Sequence, residues 1–235
     1  DAVDMQATID EGIAFANIPG ANAKGVADHA ICLMMSAARE IPSISSELHQ
    51  GRIRTPIVPQ VTSGVIGVVG TGNIGKTVIR YMSGMSCKFL AYDTYPDHEF
   101  AKQYHVEYVS LEELLAKSDV VTLHCPLLPG TRGLIDREKL ELMKKSAILI
   151  NTSRGGVIVS EDLAEALKNK VIRCAALDVF EDEGGSEAMG KAFRNLDNAI
   201  ITPHIASNTN ETLDAMMDAC IDVIENFSES RPIKT

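Results

Sequence analysis

A doubly wound α/β fold built on a parallel sheet is the class this sequence predicts, and two observations predict it. Short β-branched and apolar runs alternate with segments of helical periodicity over most of the 235 residues, the pattern of strands buried on both faces by crossover helices. The first such run, 65–69 (VIGVV), leads directly into Gly70, Gly72 and Gly75 at G-x-G-x-x-G spacing.

The segment 73–85 that follows carries Ile74, Val78, Ile79 and Met82 at helical spacing. Between strand and helix, Gly70 allows a tight turn, Gly72 lets backbone N–H groups approach a pyrophosphate, and Gly75 lets helix and strand pack closely. The helix N-terminus adds partial positive charge. A second run, 88–92, ends at Asp93, eighteen residues after Gly75. A carboxylate there accepts hydrogen bonds from the adenosine ribose hydroxyls and repels a 2′-phosphate. Strand, turn, helix and acid together predict a Rossmann-type dinucleotide site that takes NAD in preference to NADP.

Further strands are expected at 119–123, 147–151, 174–178 and 199–201, six in all. Helices are expected at 111–117, where Ser110 and Glu113 suit a capping box, and at 137–142 and 161–169. The segment 25–40 is apolar around most of its circumference, which fits either a core helix or the interface of a homodimer. The last helix, 211–227, lines Leu213, Met216, Met217, Cys220, Ile221, Ile224 and Phe227 along one stripe and needs a surface to pack against. The first 17 residues hold only a short helical pattern and the strand-like 12–17 (GIAFAN) before Pro19-Gly20. That is too little for a domain, so they are expected to belong to a second domain or to an extension packed on the sheet.

Composition sets several classes aside. Apolar residues make up 45% of the chain, yet no uninterrupted run approaches the roughly 20 residues of a membrane span, and no signal peptide is seen. No membrane partner is expected. The net charge of −10 argues against a nucleic-acid surface, which needs clustered Lys and Arg, so any anionic ligand has to be held locally. The five cysteines (Cys32, Cys87, Cys125, Cys174, Cys220) are odd in number and scattered, with no C-x-x-C pair. Reduced core thiols in a cytoplasmic protein, with no metal site, are the expectation.

In open parallel sheets, ligands bind beyond the carboxyl ends of the strands, and the unusual polar residues fall there. After the successive runs come the glycines, Asp93, His124-Cys125-Pro126, Thr152-Ser153-Arg154-Gly155, Asp178 with Glu181-Asp182-Glu183, and Thr202-Pro203-His204. Arg154 follows a buried run and is flanked by small residues that leave its guanidinium accessible for bidentate binding of a carboxylate. His204 is placed to exchange a proton near neutral pH. A carboxylate from the neighbouring acidic cluster would orient its ring and stabilise its cation. His124 is its only serious rival among the six histidines.

In these stretches the chain resembles the D-isomer-specific 2-hydroxyacid dehydrogenase family. The matching residues are 17–20 (NIPG) with 26–29 (VADH), the 70–75 fingerprint, 124–135 (HCPLLPGTRGLI), 151–155 (NTSRG), 177–181 (LDVFE) and 202–206 (TPHIA), in family order along almost the whole chain. The resemblance implies three parts: 1–18, the last helix and strand of a flavodoxin-like substrate domain; 19–207, the NAD-binding domain; and 208–235, a helix returning to the substrate domain. It implies that Arg154 binds the substrate carboxylate and carbonyl, that His204 is the general acid/base and that Glu183 is its partner. Cofactor contacts are implied at Gly70, Gly72, Asn73, Ile74, Gly75, Asp93, Cys125, Pro126, Thr131, Thr152 and Asp178, the last near the nicotinamide amide. Asp182 stands where the family has proline. The formate-oxidising branch pairs its histidine with glutamine, and Glu183 separates this chain from it.

The chemistry expected from these residues is reversible hydride transfer between nicotinamide C4 and C2 of a small D-2-hydroxy acid or 2-oxo acid. Two other readings suit the same residues: an NAD(H)-sensing corepressor similar to this family, and a cofactor-binding module without turnover. An S-adenosylmethionine methyltransferase also uses a glycine loop and a second-strand acid, but the six-strand order ending at His204 sets it aside.

Overall fold

In the computed structural model of the chain, residues 3–185 and 188–232 are described. Asp1, Ala2, Ser186, Glu187, Ile233, Lys234 and Thr235 lie outside it, among them the extreme ends of the two expected terminal parts. The helices are α1 (Met5–Asp10), α2 (Ala23–Arg39), α3 (Ile41–His49), α4 (Asn73–Met82), α5 (His98–Tyr104), α6 (Leu111–Lys117), α7 (Arg137–Leu142), α8 (Ser160–Lys168) and α9 (Asn210–Ser228). The strands are β1 (Val65–Val69), β2 (Lys88–Tyr92), β3 (Val106–Tyr108), β4 (Val120–Leu123), β5 (Ile148–Asn151), β6 (Cys174–Leu177) and β7 (Ala199–Ile201). They form one sheet in the order β3-β2-β1-β4-β5-β6-β7, every pair parallel.

Alternation along each strand feeds two apolar layers. Ile66, Val68, Ile148 and Ile150 pack with Ala27, Ala30 and Met34 of α2 and Val78, Ile79 and Met82 of α4. Val121, Leu123 and Leu149 point the other way, against Leu114 and Leu115 of α6, Leu140 of α7 and Leu163 of α8. Both faces of the sheet are therefore dry, which is why its strands read as continuous apolar runs.

All six expected strands are present. The seventh, β3, holds three residues at the sheet edge, too few to leave a period of two in the sequence. The strand-like 12–17 forms no strand: Ile13 and Phe15 stand exposed, and no neighbouring strand supplies the ladder bonds that a short apolar run needs. α2 is a core helix of its own chain, because Ala27, Ala30, Ala37 and Ala38 let its backbone approach α4, β5 and β6. Half of the expected capping box forms: Ser110 Oγ accepts from Glu113 N at 3.2 Å, but the Glu113 carboxylate turns to Lys117 Nζ at 2.6 Å. Cys125 and Cys174 are buried, and desolvation pushes both thiols up to about 11. Cys32 and Cys220 are exposed, so the expectation of core thiols holds for only part of the set. Among the described residues, no helix is long and apolar enough to cross a membrane.

Candidate active site

The strand order reverses at β1. The chain steps outward through β2 and β3 and then crosses back to β4, opening a crevice beyond the carboxyl ends of β1 and β4. Gly70 makes the turn there at φ 91° and donates its N–H to Tyr92 O at 2.8 Å. A Cβ on Gly75 would lie 2.1 Å from Gly70 O, so this glycine lets α4 start directly against the turn. No side chain caps the N-terminus of α4, and the space around Gly72 is open. Uncapped N–H groups facing open space fit a pyrophosphate. Asp93, at the end of β2, accepts from Thr71 N at 2.5 Å, Thr71 Oγ1 at 2.9 Å and Tyr95 N at 2.8 Å.

β4 ends at Leu123, and its register with β5 sets Leu123 beside Asn151, which brings the residues that follow, His124 and Thr152, alongside each other. His124 Nε2 bonds Thr122 Oγ1 at 2.9 Å, while His124 Nδ1 and Thr152 Oγ1 are buried without a hydrogen-bond partner. Burial holds the His124 ring neutral, its pKa lowered to about 3. A ring held neutral is poorly suited to donate a proton near neutral pH. Thr131 shapes the Cys125-Pro126 loop: its hydroxyl donates to Pro126 O at 2.6 Å and accepts from Leu128 N at 2.8 Å.

Asn151 fixes the next turn. Its Oδ1 accepts from Ser153 N at 3.0 Å and Ser153 Oγ at 2.8 Å, and its Nδ2 donates to Arg154 O at 3.0 Å. Arg154 emerges exposed, its Nη1 on Ser153 O at 2.8 Å. Gly155 is required by close approach, because a Cβ would lie 1.9 Å from the Phe180 carbonyl carbon. The Arg154 turn is thus locked against the loop that carries Glu183. In that loop Asp182, standing in the proline position, accepts from Gly184 N at 2.9 Å, and Glu183 Oε1 accepts from Phe180 N at 3.2 Å. Glu183 Oε2 lies 2.8 Å from His204 Nδ1, both side chains about one-third to one-half exposed.

Asp178 is fully buried beneath this pair. It accepts from Thr202 Oγ1 at 2.6 Å, Ile205 N at 3.0 Å and Ala206 N at 2.8 Å, with His29 Nε2 at 3.4 Å. Desolvation pushes its carboxyl up, but the hydrogen bonds from His29, Thr202 and the two backbone N–H groups outweigh it and hold the acid below the usual carboxylate range. Because the Thr202 hydroxyl donates to Asp178, its oxygen is the acceptor for His29 Nε2 at 3.1 Å. Sequence reasoning missed the positioning roles of Thr71, Asn151 and His29, although Asn151 and His29 stand in the NTSRG and VADH stretches that carry the resemblance.

These features define a dinucleotide-binding domain with an arginine and a carboxylate-paired histidine at its crevice. Residues 31–206 match the model of the D-isomer specific 2-hydroxyacid dehydrogenase NAD binding domain, and the chain belongs to that family. It is 40% identical over 215 residues to D-3-phosphoglycerate dehydrogenase of Methanocaldococcus jannaschii, covering 90% of this chain and 40% of that one. It is 37% identical over 224 residues to glyoxylate reductase of Korarchaeum cryptofilum, covering 93% and 67%. Among solved structures, D-lactate dehydrogenase from Aquifex aeolicus complexed with NAD and lactic acid aligns with a TM-score of 0.89 at 30% identity, covering 98% of this chain and 74% of that one. The chain thus spans well under half the length of the first of these relatives. Its cofactor is NAD, and the open, uncapped start of α4, the aimed Asp93 and the partnerless Thr152 and His124 atoms fit that group.

Proposed function

We propose that the protein is an NAD-dependent oxidoreductase acting on a small D-2-hydroxy acid and its 2-oxo acid, with Arg154, Glu183 and His204 as its catalytic residues. The 2.8 Å contact between His204 and Glu183 carries this reading, since it aims one ring nitrogen at the carboxylate and frees the other. Bound NAD(H) supplies or accepts the hydride. Arg154 binds the substrate carboxylate and polarises the carbonyl; His204 gives a proton to the developing alkoxide in reduction and takes it back in oxidation; Glu183 stabilises the imidazolium between these steps. A positioned acid/base of this kind contributes about 10²–10⁴ in rate. Gly70, Gly72, Asn73, Ile74 and Gly75 would hold the pyrophosphate and Asp93 the adenosine ribose. Cys125, Pro126, Thr131 and Thr152 would line the nicotinamide half. Asp178, with its carboxylate already engaged by the chain, would hold the His204 loop and meet the nicotinamide amide only by sharing an oxygen.

The proposed parts are 1–18, 19–207 and 208–235, with the first and last belonging to a substrate domain. The exposed stripe on α9, Leu213, Met217, Ile221, Ile224 and Phe227, supports a covering partner there. A cytoplasmic homodimer completes the proposal. Its contact is proposed through α2, on the face the core leaves uncovered, where Cys32 is exposed; a monomeric mass in sedimentation refutes it. The functional test is NADH titration followed by pyruvate, 2-oxoisocaproate, hydroxypyruvate and glyoxylate, with the reduced cofactor's absorbance watched. Oxidation that Arg154→Ala abolishes, and that His204→Gln largely abolishes while NADH affinity holds, supports the proposal. Binding without oxidation favours a cofactor-sensing or incomplete module.

A further inference from the structure

Tyr108 lies on the edge strand β3, and its hydroxyl joins a chain of hydrogen bonds that ends on Asp93. Asp97 N donates to Tyr108 Oη at 3.1 Å, Tyr108 Oη meets Thr71 Oγ1 at 2.8 Å, and Thr71 Oγ1 meets Asp93 Oδ2 at 2.9 Å. An ionised carboxylate only accepts, so the Thr71 hydroxyl must donate to Asp93. Its oxygen then accepts from the Tyr108 hydroxyl, whose own oxygen accepts from Asp97 N. One arrangement of protons satisfies all three links. The far end is anchored too: Asp97 caps α5 through Phe100 N at 3.0 Å and pairs with Lys76 Nζ of α4 at 2.5 Å.

An acceptor count shows what this chain does for a ligand. A carboxylate offers about four lone-pair sites. Thr71 N, Thr71 Oγ1 and Tyr95 N occupy three of them, two on Oδ2 and one on Oδ1. One acceptor site remains, on Oδ1, and Asp93 cannot swing away because Oδ2 is held twice.

We propose that Tyr108 is a positioning residue for cofactor discrimination, acting through Thr71 to fix the Asp93 carboxylate with one free acceptor for a ribose hydroxyl and its charge set against a 2′-phosphate. The proposal rests on the assignment of Asp93 to the adenosine ribose. Without the relay the Thr71 hydroxyl is no longer fixed on Oδ2, Asp93 keeps only its bonds from Thr71 N and Tyr95 N, the carboxylate is held less firmly for the ribose hydroxyl and a 2′-phosphate is better tolerated.

The test is equilibrium titration of the 235-residue chain with NADH and with NADPH, following cofactor fluorescence, alongside its Tm. Tyr108→Phe is expected to weaken NADH binding about three- to tenfold and to lower the NADH-over-NADPH preference. Thr71→Val is expected to do the same, and Thr71→Ser, which keeps the hydroxyl, to restore both. In the double variant Tyr108→Phe/Thr71→Val the losses do not add, because both cut one chain. A lower Tm for Tyr108→Phe with the preference unchanged means a structural role only and overturns the proposal. Asp93→Ala separates the two readings: if it changes the preference while Tyr108→Phe and Thr71→Val do not, the ribose assignment survives and the relay fails. If Asp93→Ala changes nothing, both fall.

Discussion

Acid should destabilise this domain through His124, a buried residue with no part in the proposed proton transfer. Its ring is buried with only a Thr122 contact, and desolvation lowers its pKa to about 3 in the folded chain. An unfolded chain gives a histidine near 6.5. The folded form therefore binds the proton less readily, and stability falls as pH drops through about 6.5, continuing down to about 3. At pH 7 the loss is about 0.2 kcal/mol; at pH 5 the unfolded chain is almost fully protonated at this site and the loss reaches about 2 kcal/mol. That is a large share of a domain stability of roughly 5–15 kcal/mol. The assay is urea unfolding at pH 7 and pH 5 for the wild type and for His124→Asn, which cannot titrate. The variant is expected to be less stable at pH 7 but to lose about 2 kcal/mol less on acidification, every other residue being common to both proteins. Equal acid losses, or an NMR-detected His124 ring titrating near pH 6 in the folded chain, would refute the reasoning.

Gly155→Ala should push the Arg154 turn away from the Phe180 backbone, since the new methyl would sit 1.9 Å from a carbonyl carbon. The expected result is a loss of more than about 2 kcal/mol in thermal unfolding together with lost turnover, and a native Tm would contradict it. Asp178→Asn should cost roughly 2–4 kcal/mol, because an amide nitrogen would face Thr202, Ile205 or Ala206 donors in a buried site. Stability from the ionised Asp178 is present above about pH 4 and is lost as pH falls through its lowered folded pKa. Asp178→Asn should flatten that part of the acid profile, and an unchanged profile would remove Asp178 from it.

The sheet was legible because burial on both faces makes each strand an uninterrupted apolar run, so residues 65–69, 88–92 and 148–151 identify themselves. β3 did not, because three edge residues carry no period, and its Tyr108 both packs on the edge of the core and commits its hydroxyl to hydrogen bonds. The segment 12–17 failed in the opposite direction: an apolar run is a strand only when a neighbour takes its N–H and C=O groups, and neighbours are not written in the run itself. α2 was ambiguous for a related reason. An all-round apolar helix states that it is covered, not by what.

The crevice shows the same division between what a residue is and what holds it. Arg154 and His204 stand out because strand ends and charge are visible in sequence. The groups that aim them are read only in space: Asn151 folds the Arg154 turn from three residues away, and Asp178 meets Thr202 at 2.6 Å and His29 at 3.4 Å across loops far apart in the chain. His204 itself makes the dependence plain. It sits at φ 53°, a left-handed conformation that costs a non-glycine residue about 1–2 kcal/mol. Glycine there would relieve the strain and discard the ring. The conformation persists because His204 N donates to Asp178 O at 2.9 Å while the Asp178 carboxylate holds the next two N–H groups. A buried carboxylate thus stabilises a strained turn, and the turn presents an imidazole to Glu183 on one side and to the crevice on the other.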